Sequence, residues 1–254
     1  MLKFVAGPML VCLLAAARPE PVRAQAGPPA KADSSARAYT DVGNGDRLFV
    51  VPTARNLRRG EGYAQDLELV VVGASYGLTN SFSLGAFVSV IPGQGTDNIA
   101  LLTPKVSFPV AKKLRAGIGS FLIASRSGSG AITYANATYG TADANLTLGV
   151  GYGATRRSGF INTPLVLLGG TKRVSRLVSL LNETYLIYDR AFLDLGTFKL
   201  VAGIAGVRVA GPRFGGGLGL LYAFGQLQDS DYFNGSARYF LPVGEFTVRF
   251  GKIK

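Results

Sequence analysis

The sequence predicts an all-β fold: a closed antiparallel transmembrane β-barrel of about twelve strands, with ten as the alternative. Three observations predict it. Segments of roughly 9 to 14 residues alternate apolar with small or polar side chains, the period of a strand. The connections between them alternate short and long, as in barrels with tight periplasmic turns and longer outer loops. The 254 residues are 48% hydrophobic, yet beyond the N-terminus no apolar run reaches the ~20 residues a helix needs to cross a bilayer.

Residues 1–26 read as a secretory signal peptide. Lys3 gives a basic start, residues 4–17 are an apolar stretch, and Ala24-Gln25-Ala26 is a small-x-small cleavage site. The only cysteine, Cys12, leaves with this leader, so disulfides and thiolate metal sites are not expected. Residues 27–46, rich in Gly, Pro, Ala and Ser, read as a disordered lead-in. The barrel is assigned to 47–254.

Candidate strands are 47–53, 64–77, 81–91, 98–110, 114–125, 131–140, 145–155, 161–171, 179–188, 198–209, 213–225 and 243–251. The clearest is 145–155, where Leu146, Leu148, Val150 and Tyr152 share one face and Thr147, Gly149, Gly151 and Gly153 the other. In 81–91, Phe82, Leu84, Ala86, Val88 and Val90 oppose Ser83, Gly85, Phe87 and Ser89. In 114–125, Leu114, Ala116, Ile118 and Leu122 oppose Arg115, Gly117, Gly119, Phe121 and Ile123. Segments 178–188 and 198–209 carry apolar residues on both faces.

The pieces "SYGLTNSFSLGAF" and "TYGTADANLTLGVGYG" repeat one device. Tyr-Gly ends a descending strand, turn formers reverse the chain, and the ascending strand alternates lipid-facing with lumen-facing residues. Short connections are expected near 78–80, 111–113, 141–144 and 210–212, and longer ones near 54–63, 92–97, 126–130, 156–160, 189–197 and 226–242; the one at 172–178 is the exception, too long for the short set. A secreted β-sandwich also alternates, but these segments exceed the usual five or six residues. Pro104 and Pro164 fall inside candidate strands, where a proline removes a ladder bond, so each calls for a bulge or a shifted strand end. Without tryptophan, an interfacial girdle falls to Tyr and Phe, such as Tyr76, Phe82, Phe108, Tyr139 and Tyr152.

The stretch "RLFVVPTARNLRRGEGYAQDLELVVVGASYGLTNSFSLGAF", the "GVRV" at 206–209 and the closing "FLPVGEFTVRFGK" together resemble a group of uncharacterised bacterial outer-membrane β-barrel proteins. The resemblance runs from about Arg47 to Lys252. It implies a barrel fold, an outer-membrane location and insertion by the barrel-insertion machinery. It carries no catalytic residue. Many such barrels end on an aromatic residue, whereas here Phe250 is followed by "GKIK".

No histidine is present, which removes the side chain best suited to proton transfer near neutrality. No enzyme activity, catalytic residue, metal site or cofactor is expected. The +12 formal charge points in an exported chain toward phosphorylated lipid, including lipopolysaccharide, rather than nucleic acid. A Lys or Arg facing mid-bilayer lipid costs about 2–4 kcal/mol. Lys105, Arg115, Glu183, Glu245 and Arg249 are therefore expected to face the lumen. There they either line a narrow passive channel for small solutes with a bias toward anions, or pair and fill the lumen of a structural or interaction barrel whose protein partner the sequence does not name. Arg55, Arg58, Arg59, Arg126, Arg156 and Arg157 are expected in outer loops, where guanidinium groups suit lipid phosphates.

Overall fold

The computed structural model describes residues 45–90, 98–157, 159–188, 198–230 and 233–252. The leader and nearly all of the lead-in lie outside them. Twelve antiparallel strands close on themselves: β1 (Glu61–Leu67), β2 (Val71–Gly77), β3 (Phe82–Ser89), β4 (Ala100–Ala111), β5 (Leu114–Ser125), β6 (Gly128–Gly140), β7 (Ala144–Thr155), β8 (Leu165–Arg173), β9 (Val178–Tyr188), β10 (Phe198–Ala210), β11 (Phe214–Ser230) and β12 (Phe233–Gly251). Each pairs with its neighbours in sequence, and β12 pairs with β1 from Gly251↔Glu61 to Glu245↔Leu67. A two-residue stretch, Gly159–Phe160, folds back on the end of β7. A closed ladder leaves no sheet edge along the paired wall, which is what strands require in lipid.

The alternation fixes an inside-out molecule. On β5 and β7, Ile118, Leu146 and Leu148 point out and are exposed, while Gly117, Gly119, Thr147 and Gly149 point in and are buried. On the wall strands Leu218 is 76% exposed outside and Glu183 0% exposed inside. Tyr76, Phe108, Tyr139, Phe214 and Phe250 ring the outer surface near one end, with Tyr76 and Phe250 stacked at 6.3 Å. Tyr152 and Phe160 stack at 5.6 Å toward the other. The first end carries the described chain ends and the turns after β2, β4, β6, β8 and β10, and is called the terminal end below.

Several expected elements differ. Residues 47–53 are not a strand; they lie inside the barrel. The expected strand 64–77 is two strands joined at 68–70, where Glu68 and Leu69 adopt φ of 60° and 58°. Left-handed backbone costs a non-glycine residue about 1–2 kcal/mol, and neighbours hold this turn in place. Glu68 N donates to Gly244 O at 2.9 Å, and Gly244 N donates back to the Glu68 carboxylate. One strand lost and one gained leave the count at twelve.

The connection expected at 126–130 is a two-residue turn, and most of the one expected at 226–242 belongs to β11 and β12. Pro164 precedes β8. Pro104 pairs with Leu84 of β3, but its missing N–H falls where the β4–β5 ladder skips from Leu102↔Leu122 to Lys105↔Gly119 without a change of register.

Candidate functional site: a plugged lumen

Residues 46–53 form a tight reversal that enters the lumen from the terminal end. Leu48 N donates to Val51 O and Thr53 N to Asp46 O, both at 2.9 Å, and Arg47 bridges Pro52. The reversal leaves Leu48, Phe49 and Ala54 at 1%, 1% and 0% exposure. The run Leu48-Phe49-Val50-Val51 is apolar without alternation because the barrel wall surrounds it instead of meeting it on one face.

Backbone groups at the tip of such a reversal have no ladder to satisfy them, so the wall supplies partners. The Glu183 carboxylate accepts from Phe49 N, Val50 N and Val51 N at 3.1, 3.1 and 3.2 Å, all on Oε2, while Tyr185 donates to Oε1 at 2.9 Å. Lys105 Nζ performs the opposite task. It donates to the carbonyls of Asp46, Thr53 and Arg55 at 2.9, 3.2 and 2.6 Å, and lies 3.7 Å from Asp46 Oδ2. A carboxylate only accepts and an ammonium only donates, so the two charges take complementary sides of one bare backbone.

Arg208 Nη2 donates to Leu48 O at 2.5 Å and its guanidinium forms a two-pronged pair with Glu245. Gln65 Nε2 joins Glu245 at 3.1 Å. Asn136 Nδ2 donates to Pro52 O at 2.6 Å, Thr138 Oγ1 accepts from Ala54 N at 2.8 Å, and Arg115 Nε donates to Ala54 O at 3.1 Å. From the plug, Arg47 reaches Ser75 Oγ at 3.0 Å and lies 4.7 Å over the Phe87 ring. Wall glycines make room: a Cβ at Gly169 would fall 2.5 Å from Leu48 Cδ1, and one at Gly206 2.9 Å from Phe49 Cζ.

The structure thus gathers Lys105, Glu183 and Glu245 around the plug and sets Arg115 at its terminal-end mouth. Arg249 shares the inward register of Glu245 and Thr247 and pairs with Tyr63 close to the same mouth. Arg126, Arg156 and Arg157 lie at the far end, on the turns after β5 and β7. Arg55, Arg58 and Arg59 do not join them. Because β1 starts beside the C-terminal residues, these three sit at the terminal end, where Arg59 N donates to Asn80 Oδ1 at 3.1 Å and Arg58 lies 3.9 Å from Glu61. Their expected place in an outer loop with Arg126, Arg156 and Arg157 followed from reading 47–53 as a strand; with 46–53 inside the lumen they fall at the opposite end.

Sequence reasoning missed Arg208, Gln65 and the plug's own Asp46 and Arg47. Arg208 was signalled by its place between Val207 and Val209, an inward charge flanked by outward valines. Asp46, assigned to the lead-in by composition, is 4% exposed. Among the described residues no group of three or more His, Cys, Asp or Glu is arranged to hold a metal ion.

Closed wall, apolar exterior, charged interior and inserted N-terminal segment define a plugged, inside-out β-barrel, the form in which strands cross bilayers. No protein-family model and no curated protein matches the chain. Among solved structures it is similar to a KdgM porin in complex with disordered oligogalacturonate, with 9% identity, a TM-score of 0.49, and 75% of this chain and 95% of that one covered. It is also similar to the NanC porin, with 11% identity, a TM-score of 0.48, and 76% and 99% covered. An outer-membrane OmpT of Vibrio cholerae follows at 14% identity and a TM-score of 0.35, with 72% and 64% covered.

Proposed function

We propose that the chain is an outer-membrane barrel, exported by its leader, that serves as a small-solute channel held shut by residues 45–57. The observation that carries this reading is the pair of opposed grips on one backbone segment, Glu183 on three N–H groups and Lys105 on three carbonyls. A wall meant only to be filled needs apolar side chains of the right volume. A wall that binds main chain through charges holds a segment that polar competition can displace. With short turns on the periplasmic side, the plug enters from the periplasm.

A permanently filled structural barrel is the second reading, favoured by the number of bonds that hold the plug. Planar-bilayer recordings separate the two. The full chain is expected to conduct rarely, and a chain lacking 45–57 to conduct steadily with a preference for anions set by Lys105 and Arg115, which lose their plug partners. Silence from both, with the barrel folded, establishes the structural reading. Equal steady conductance from both shows that the segment does not close the pore.

On this orientation Arg126, Arg156 and Arg157 form an outward basic rim suited to lipopolysaccharide phosphates. Changing all three to Ser should lower the lipopolysaccharide that remains bound through detergent purification; unchanged retention removes the rim from consideration.

A further inference from the structure

The far half of the lumen differs in kind from the plugged half. Beyond the plug tip, the inward positions switch from Ser, Thr and charged residues to Leu101 on β4, Phe121 and Ile123 on β5, Ile132 on β6, and Leu165 and Leu167 on β8. With the Val50 and Val51 tip as a floor, they line a half-open cavity of about 240 Å³. Among the described residues no charged side chain lines it. Of its few polar neighbours, Tyr185 Oη is held by Glu183 and Asn136 Nδ2 by Pro52 O, while Tyr134 Oη and Asn136 Oδ1 are buried with no protein partner and are neutral. Passage of small solutes does not by itself account for this apolar belt, since the lumen of a water-filled barrel is otherwise polar. Apolar surface that faces a cavity gains by being covered, at roughly 25 cal/mol per Å².

We propose that this cavity binds a compact, uncharged hydrophobic molecule. Its size sets the class, because a cavity of about 150 Å³ lined by aliphatic and aromatic side chains holds benzene. The larger space here suits a two-ring or roughly ten-carbon hydrocarbon. The rings of Phe121, Tyr134 and Tyr185 favour a flat aromatic ligand through offset and edge contacts. A carboxylate would find no cation among the described residues that line the cavity, and Lys105 and Arg208 are both committed to plug carbonyls. Binding requires no movement of the plug, so the proposal stands or falls independently of conduction.

The test is equilibrium dialysis of the folded full chain with naphthalene, the same detergent micelles being present on both sides so that micellar partition cancels. One saturable equivalent per chain is expected, with decanoate bound about tenfold more weakly or less. Gly151→Phe, which projects a ring into the cavity, and Ile123→Ser, which makes its wall polar, should each weaken naphthalene about tenfold or more. Lys112→Ala, on the exposed turn after β4 at the opposite end, should leave it unchanged. Migration of the unheated band shows which variants fold. Naphthalene uptake by the unaltered chain that never saturates overturns the site whatever the variants do. Equal affinity in a folded Gly151→Phe or Ile123→Ser chain also overturns it, and decanoate bound as tightly as naphthalene overturns the restriction to uncharged ligands.

Discussion

Glu183→Ala is expected to free the plug while the wall remains standing. One carboxylate oxygen accepts three consecutive backbone N–H groups of residues 49–51, and nothing else in the lumen replaces it for all three. A hydrogen bond to a charged group is worth about 1.5–3 kcal/mol. Three that share one oxygen add to less than their sum, so a loss of roughly 3 kcal/mol for the docked segment is a fair scale. Amide exchange at Phe49, Val50 and Val51 should then quicken by about two orders of magnitude, and protease should cut within 45–57. The unheated barrel should still run as a compact band. Glu183→Gln keeps an acceptor but not the charge and should fall between. Protection that persists in the alanine variant would show that the segment is held mainly by Lys105 and Arg208.

Arg208→Met should be the most destabilising single change in the wall itself. Arg208 and Glu245 pair with side chains only 1% exposed each, across β10 and β12. Removing one member leaves an uncompensated buried charge, which typically costs about 3–5 kcal/mol. The double change Arg208→Met with Glu245→Gln leaves no net buried charge, and the amide introduced on β12 can still meet Gln65, so much of the loss should return. Urea titration of folding into lipid vesicles measures both. Single and double variants of equal stability would show that lost bonds to the plug, not the stranded carboxylate, set the cost.

The wall was legible because lipid outside and small residues inside impose a period of two that local sequence cannot hide. In β3, β5 and β7 that period assigned each face correctly. Where both faces are apolar it failed for a physical reason: Leu165, Leu167, Leu181 and Ile204 face the cavity or the plug rather than water. The hairpin at 68–70 was invisible because Glu68-Leu69-Val70 contains none of the residues that normally accept positive φ, and its stability comes from Gly244, distant in sequence. The plug was misread since Leu48 to Val51 has a strand's composition. Its uninterrupted apolar character, with Pro52 behind it, was the sign that it is enclosed on every side. Where Lys105, Glu183 and Glu245 point could be argued from the cost of charge in lipid, but what they grip could not, because their partners are main-chain atoms that carry no side-chain signature.

The contacts of Glu183 with the plug span 132 to 134 positions of sequence, and Glu245 belongs to the last strand of all. Residues 46–54 are thus among the earliest of the described chain to be synthesised, yet their seat is incomplete until the C-terminal strand has arrived. Long separations of this kind slow folding. Until the strands that carry Glu183 and Arg208 are in place, the greasy Leu48–Phe49 pair lacks the bonds that seat it here.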